Sequence, residues 1–224
     1  MHVPISSSLS LLVPFTSLAV AASIPPSIRD VSEAPEAAAP SALPHIASLS
    51  YSGNGCPSAS PGVERTGAGF NDIGFRLNAF DASLPGIETS TTACQIHLQA
   101  TGCAAGWQVG IQSATVKGHL VLDPGASLAW YLTSYWSENA GATNTISGTI
   151  SNTGSSRFDD DVARSASAGA VAWSPCARGG DGFLGILNVN FRVALDAPGK
   201  QYGYFGKDAG TPTAESWNYV WRQC

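Results

Sequence analysis

Charged residues are scarce in this chain. Asp, Glu, Lys and Arg together make up 12% of its 224 residues, and the formal net charge is −5 at pH 7. Nucleic acids and anionic membranes are bound through clustered positive charge, which a slightly acidic chain with 11 Lys and Arg residues does not offer. We therefore expect neither a nucleic-acid partner nor a membrane-surface partner.

Patterns typical of metal sites and helices are also missing. The four histidines never fall close together, so the sequence predicts no zinc site, and nothing in it points to a cofactor. No stretch combines helical spacing with helix caps, and no segment repeats. These absences favour a chain built from β-strands.

The one long apolar run lies at the N-terminus. Residues 3–22 carry no charge and end in small residues, which is the pattern of a cleaved signal peptide. A membrane anchor is the weaker alternative, because Pro4 and Pro14 interrupt a run already shorter than the roughly 20 apolar residues that a span needs. We predict that residues 1–22 are a signal peptide and that the mature protein is secreted and extracellular, with no membrane attachment.

The composition then changes twice. Residues 23–47 are rich in Ala and Pro with little to bury, which predicts a disordered linker. Residues 48–224 are long enough for a substantial core and are predicted to form one domain.

Apolar and polar residues alternate through most of this domain. In the run 187–195, Leu187, Val189 and Phe191 are separated by polar residues, and the runs 107–112 and 115–122 alternate similarly. Gly- and Pro-containing turns separate the runs. We predict an all-β fold, an antiparallel β-sandwich of jelly-roll or immunoglobulin-like type with about ten strands, stapled by disulfides. A closed barrel is the alternative.

Cysteines occur in ordered motifs along the domain. Cys56 lies in Gly-Asn-Gly-Cys-Pro, Cys94 in Ala-Cys-Gln, Cys176 in Trp-Ser-Pro-Cys and Cys224 in Trp-Arg-Gln-Cys. This ordered set resembles the secreted, fungal-type family known as domain of unknown function 4360, over about residues 48–224. The resemblance implies that these four cysteines recur as a set, and it implies no activity.

Four cysteines allow three disulfide pairings, and the sequence leaves all three open. The simplest joins Cys56 to Cys94 and Cys176 to Cys224, closing loops of about 40–50 residues, each with a stabilisation of roughly 4 kcal/mol from chain entropy. Cys103 is then unpaired. We expect a monomer unless Cys103 pairs between chains.

Two aromatic runs are the candidate binding elements. In a strand over 129–136, two tryptophans lie on one face and two tyrosines on the other, and three further rings share a face near the C-terminus. One face of each run must pack in the core, whereas the other can stack on sugars or anchor a protein partner. The candidates are Trp130, Tyr131, Tyr135, Trp136, Trp217, Tyr219 and Trp221.

Candidate catalytic groups do not form a pattern. The domain lacks a Gly-x-Ser-x-Gly elbow, His97 and His119 lie in mid-strand, no carboxylate pair stands out, and Asp159–Asp161 lacks the ligand spacing of a calcium loop. We predict a non-catalytic protein that binds cell-wall carbohydrate or an extracellular protein, such as one of a host. The alternatives are an extracellular hydrolase acting on polysaccharide or ester, and a structural matrix protein.

Overall fold

A computed structural model describes residues 39–58, 62–85 and 90–224. The predicted signal peptide over 1–22, and the predicted linker as far as residue 38, lie outside the described residues. The described chain forms twelve strands and two short 3₁₀ helices. The strands are β1 His45–Ser52, β2 Val63–Thr66, β3 Gly74–Leu77, β4 Ala82–Leu84, β5 Thr91–Thr101, β6 Trp107–Leu122, β7 Ser127–Trp136, β8 Thr143–Ser151, β9 Phe158–Ser167, β10 Gly185–Asp196, β11 Gly203–Gly206 and β12 Ala214–Gln223.

The strands form two antiparallel sheets that share one core. The first sheet has five strands in the order β1-β5-β10-β7-β8, and the second has seven, in which β6 pairs with β9 on one edge and with β12 and β11 on the other. Phe80, in the connection between β3 and β4 of the second sheet, stacks on Phe191 of β10 in the first sheet with 4.8 Å between ring centroids. The predicted antiparallel β-sandwich is therefore confirmed, with two more strands than expected.

Burial follows the alternation in the sequence. Along β7 every second residue is buried, and the inner set includes Leu128, Trp130 and Leu132. Along β5 and β10 the inner positions are similarly apolar, whereas β8 presents Thr and Ser to solvent. Because successive strand residues point to opposite faces, each of these strands lends one face to the core and leaves the other accessible.

The N-terminal edge of the fold lies slightly earlier than the composition indicates. Strand β1 begins at His45, three residues inside the predicted linker, and pairs with β5 as far as Ser52. Among the described residues, no helix is long and apolar enough to cross a membrane.

The structure contains the simplest of the three disulfide pairings. Cys56 bonds to Cys94 of β5, and Cys176 bonds to Cys224 at the end of β12. Cys103 is a free thiol that is 5% exposed. Burial raises the pKa of that thiol, which reduces the fraction present as the reactive thiolate.

Candidate binding face

The tyrosines of β7 point away from the core. Tyr131 and Tyr135 occupy half-buried outer positions of the five-stranded sheet, with Thr133 between them. Trp130 and Trp136 occupy inner positions and are each 1% exposed. Since a side chain so deeply buried cannot stack on a ligand, the two tyrosines are the β7 rings that remain as binding candidates.

Strand pairing places polar side chains beside these tyrosines. Arg192 of β10 lies opposite Tyr131, and Asn190 lies opposite Thr133. Gln95 of β5 lies opposite Asn190 on the far side of β10. Tyr135 of β7 and Thr145 of β8 complete the set, and these side chains line an open depression of about 560 Å³. We call this depression the tyrosine face; its residues are Gln95, Tyr131, Thr133, Tyr135, Thr145, Asn190 and Arg192.

Contacts within the tyrosine face hold both rings in place. The guanidinium of Arg192 lies 4.8 Å from the centre of the Tyr131 ring, a cation–π distance. The amide of Gln95 donates a hydrogen bond of 3.3 Å to the Tyr135 hydroxyl. Because the rings lie on β7 and their supporting groups on β10 and β5, the rings are positioned by the sheet rather than by a loop.

The tyrosine face offers aromatic and polar groups side by side. It combines two aromatic rings with amide, hydroxyl and guanidinium groups, and its lining contains no carboxylate or imidazole. Arg192 forms no ion pair within the described part of the chain. A site of this composition can stack on an apolar surface and exchange hydrogen bonds with hydroxyl groups.

The C-terminal aromatic candidates pack against the protein itself. Trp217 and Trp221 are 2% and 8% exposed and lie on the inner side of the seven-stranded sheet. Tyr219 lies between them on β12 and stacks on Phe70 at a centroid distance of 4.5 Å. Its buried hydroxyl has no hydrogen-bond partner, and burial raises its pKa. Trp217 and Trp221 therefore belong to the core, and the half-buried ring of Tyr219 packs against it.

His119 is surrounded by carboxylates. Its Nε2 lies 3.2 Å from an Asp159 oxygen, its Nδ1 lies 3.0 Å from an Asp161 oxygen, and Asp208 is 3.9 Å from the ring. Burial lowers the pKa of His119, but the hydrogen bond to Asp161 and the three negative charges outweigh it, so the pKa is raised. The raised pKa extends the pH range in which the ring is protonated, and a protonated imidazole has no lone pair with which to activate a serine.

His97 is bound to an amide instead. Its Nδ1 lies 2.6 Å from Oδ1 of Asn188, whose side-chain amide donates to the Ser137 hydroxyl. Among the residues described, no serine hydroxyl is hydrogen-bonded to His97 or His119, and no set of His, Cys, Asp or Glu side chains is arranged to hold a metal ion. Asp159–Asp161 lies on β9, where two of its three carboxylates face His119.

Sequence reasoning missed a second aromatic site. Trp173, in the segment after β9, lies under the guanidinium of Arg222, which is 4.1 Å from its ring centre. The Trp-Ser-Pro-Cys motif marks this ring in the sequence. Arg222, however, is 49 residues further along the chain, so their contact can be known only from the fold.

Comparison with known proteins gives a weak similarity of fold to solved structures and a match to a family model. Two solved structures share weak similarity of fold. A non-crystalline cellulose specific carbohydrate-binding module, CBM28, is 11% identical, with 77% of this chain and 86% of that chain covered and a TM-score of 0.34. TmCBM61, solved in complex with beta-1,4-galactotriose, is 10% identical, with 80% of this chain and 91% of that chain covered and a TM-score of 0.24. Similarity at this level does not assign a ligand.

No curated protein matches the chain. A family model does match, and it covers both disulfides and both sheets. The model is that of the domain of unknown function DUF4360, and the match spans residues 43–224. The cysteine motifs and the strand pattern lie within this range, and the chain belongs to the DUF4360 family.

Proposed function

We propose that this protein is a secreted, non-catalytic binder of extracellular polysaccharide and that the tyrosine face is its binding site. The observation that carries the proposal is the pair of outward-facing tyrosines, Tyr131 and Tyr135, fixed by Arg192 and Gln95 on the outer surface of a sheet. The extracellular location is supported by two disulfides, which persist in oxidising compartments, and by the predicted signal peptide.

The shape of the tyrosine face favours a sugar chain over a protein surface. Its volume of about 560 Å³ falls in the range of sites for small ligands. Tyr131 and Tyr135 are four residues apart on one strand face, so their Cα atoms are separated by about 13 Å. Two rings at that separation along a straight strand can support an extended chain of sugar units, each offering an apolar face and several hydroxyl groups.

The test measures binding of the full chain to a panel of insoluble and soluble cell-wall polysaccharides, by pull-down and affinity electrophoresis. Tyr131→Ala and Tyr135→Ala are expected to weaken the binding about tenfold each, which is the effect of truncating an aromatic anchor. Tyr202→Ala is the matched control, because Tyr202 stacks with Arg157 much as Tyr131 stacks with Arg192, but outside the tyrosine face. Its affinity is expected to equal that of the wild type.

Two results would count against this proposal. If the wild-type protein retains no polysaccharide, the site does not bind sugar chains, and the extracellular-protein alternative becomes the one to pursue. If polysaccharide is bound but neither tyrosine variant differs from Tyr202→Ala, the binding surface lies elsewhere on the molecule.

A further inference from the structure

A second depression lies where the end of β12 and the start of β6 meet the segment after β9. Its volume is about 570 Å³, and it shares no lining residue with the tyrosine face. We call it the edge groove and define it by Gln108, Glu138, Trp173, Ser174, Arg178 and Arg222.

The wall of the edge groove is anchored to the sheet. The backbone N–H of Ser174 donates to the Val109 carbonyl at 2.9 Å, and its hydroxyl accepts from the Val109 N–H at 3.0 Å. Two residues further on, Cys176 is bonded to Cys224. The segment that carries Trp173 is therefore tied to β6 by hydrogen bonds and to the end of β12 by a covalent bond.

Arg222 is held flat against this wall. Its guanidinium lies over the Trp173 ring at 4.1 Å, and its Nε donates a 2.9 Å hydrogen bond to Oε1 of Gln108. Gln108 is itself fixed, because its amide nitrogen donates to the Ser174 carbonyl. These contacts use one face and one nitrogen of the guanidinium. Within the described chain, its two terminal nitrogens have no hydrogen-bond partner.

The edge groove carries more positive than negative charge. Arg178 and Arg222 both line it, and neither forms an ion pair with any residue that the structure describes. Glu138 is the acidic side chain of the lining, and its two oxygens accept the Ile186 N–H at 3.1 and 3.2 Å. In a protein of net charge −5, two arginines without carboxylate partners in one groove mark a site for an anion.

Another arginine of the same protein shows the contrast. Arg157 also stacks on an aromatic ring, that of Tyr202, but its Nε lies 2.8 Å from a carboxylate oxygen of Asp123. At Arg222 the corresponding Nε donates to the neutral Gln108 amide, so no carboxylate of the described chain lies beside this guanidinium. A guanidinium whose plane is already fixed is suited to a carboxylate, which it can bind through two parallel hydrogen bonds.

We propose that the edge groove binds a uronic acid unit of an acidic polysaccharide, with the carboxylate on the free nitrogens of Arg222 and Arg178 beside it. The groove has the volume of a small-ligand site, whereas a stable protein partner buries about 800 Å² on each side. The Gln108 amide and the exposed edge of Trp173 offer a sugar ring polar and apolar contacts. This site is separate from the tyrosine face and adds charge recognition to the molecule.

The test is isothermal titration calorimetry of the full chain with trigalacturonate and with its methyl ester, which keeps the sugar skeleton and removes the charge. Trigalacturonate is expected to bind at least tenfold more tightly than the ester, and its affinity is expected to fall as NaCl is raised from 20 to 300 mM. Tetraglutamate is the third ligand and supplies carboxylates without sugar. Equal binding of acid and ester, no binding of the acid, or tighter binding of tetraglutamate would each overturn the proposal.

Variants locate the site. Arg222→Gln and Arg178→Gln are each expected to lower the affinity for trigalacturonate about tenfold. The affinity of Arg222→Lys is expected to lie between those of wild type and Arg222→Gln, because lysine keeps the positive charge but cannot form two parallel hydrogen bonds. Arg164→Gln on β9 is the matched control for loss of an exposed arginine, and it should leave the affinity unchanged. Arg178 is exposed, so its variant carries the test if Arg222→Gln folds poorly. If neither Arg222→Gln nor Arg178→Gln binds trigalacturonate more weakly than Arg164→Gln, the edge groove is not the site.

Tyr135→Ala separates this proposal from that of the tyrosine face. It should leave trigalacturonate binding unchanged, because Tyr135 does not line the edge groove. A tenfold loss on Tyr135→Ala would place the acidic sugar on the tyrosine face and overturn the assignment to the edge groove.

Discussion

Replacing Glu215 by Gln should make the protein more stable at alkaline pH. Glu215 lies on the inner side of β12 and is 1% exposed. Its Oε2 accepts a 3.2 Å hydrogen bond from the Trp217 indole, and its Oε1 has no hydrogen-bond partner. Burial raises the pKa of this carboxyl to about 8, against a small lowering by the Trp217 hydrogen bond. The folded protein therefore holds Glu215 protonated at neutral pH.

The size and sign of the effect follow from the proton balance. The unfolded chain loses the Glu215 proton near pH 4.5 and the folded chain near pH 8, so the folded state binds more protons between these values. The contribution of Glu215 to stability is then highest below pH 4.5 and falls by about 1.4 kcal/mol per pH unit as pH rises towards 8. The total is up to about 5 kcal/mol. Gln stays neutral at every pH and can still accept the Trp217 hydrogen bond, so the variant does not lose this stability as pH rises.

The assay is urea unfolding of wild type and Glu215→Gln at pH 5, 7 and 9, followed by tryptophan fluorescence with the disulfides intact. We expect the two proteins to differ by about 1 kcal/mol or less at pH 5, and the variant to be the more stable by several kcal/mol at pH 9. Glu64→Gln is the control, because Glu64 has a side chain 57% exposed beside Arg76. Parallel pH profiles for wild type and Glu215→Gln would refute the reasoning.

Three further predictions concern other parts of the fold. Because Cys103 is buried, its reaction with a thiol reagent should be at least about tenfold slower in the native protein than in urea. Labelling of the native protein at the rate seen in urea would show that the thiol is accessible. His119→Gln should lower the melting temperature more at pH 5.5 than at pH 9, because the raised pKa of His119 gives a stabilisation that is lost as pH rises; an equal loss at both pH values would contradict this. Gly148→Ala should cost about 1–3 kcal/mol in urea unfolding, because its Cβ would lie 2.7 Å from the buried Trp130 ring, whereas Gly169→Ala, with open space around it, should be neutral.

The strand β6 shows how far alternation alone can predict this fold. In the sequence, Val109 and Ile111 set an odd-numbered apolar phase, and Val116 and Leu120 set an even-numbered one, so the pattern predicts two runs. The structure joins them in one strand of 16 residues whose register with β12 shifts opposite Asn218 and Tyr219. The phase change is visible in the sequence. Whether it marks a turn or a β-bulge depends on the partner strand, which the sequence of β6 does not contain.

The tyrosine face could be predicted only in part for the same reason. The alternation in β7 separates two tyrosines from two tryptophans, and the leucines that share the tryptophan face indicate which side is buried. The polar neighbours of the tyrosines could not be predicted. Arg192 reaches Tyr131 because β10 pairs with β7 in a particular register, and a shift of one residue would place Arg192 on the other face.

The three arginine–aromatic stacks in the described part of the chain differ in one respect that stability does not explain. If each stack served only to hold the surface together, each guanidinium would gain from a nearby carboxylate, as Arg157 does from Asp123. Arg192 and Arg222 stack more closely on Tyr131 and Trp173, at 4.8 and 4.1 Å, than Arg157 does on Tyr202, at 5.2 Å. Neither of them has a carboxylate partner among the described residues, and each lines a depression of more than 500 Å³. A positive charge that is held in a fixed orientation and left without a carboxylate in a depression supports the proposal that both arginines meet a ligand outside the chain. The two depressions share no lining residue, so the two proposed sites can be tested independently.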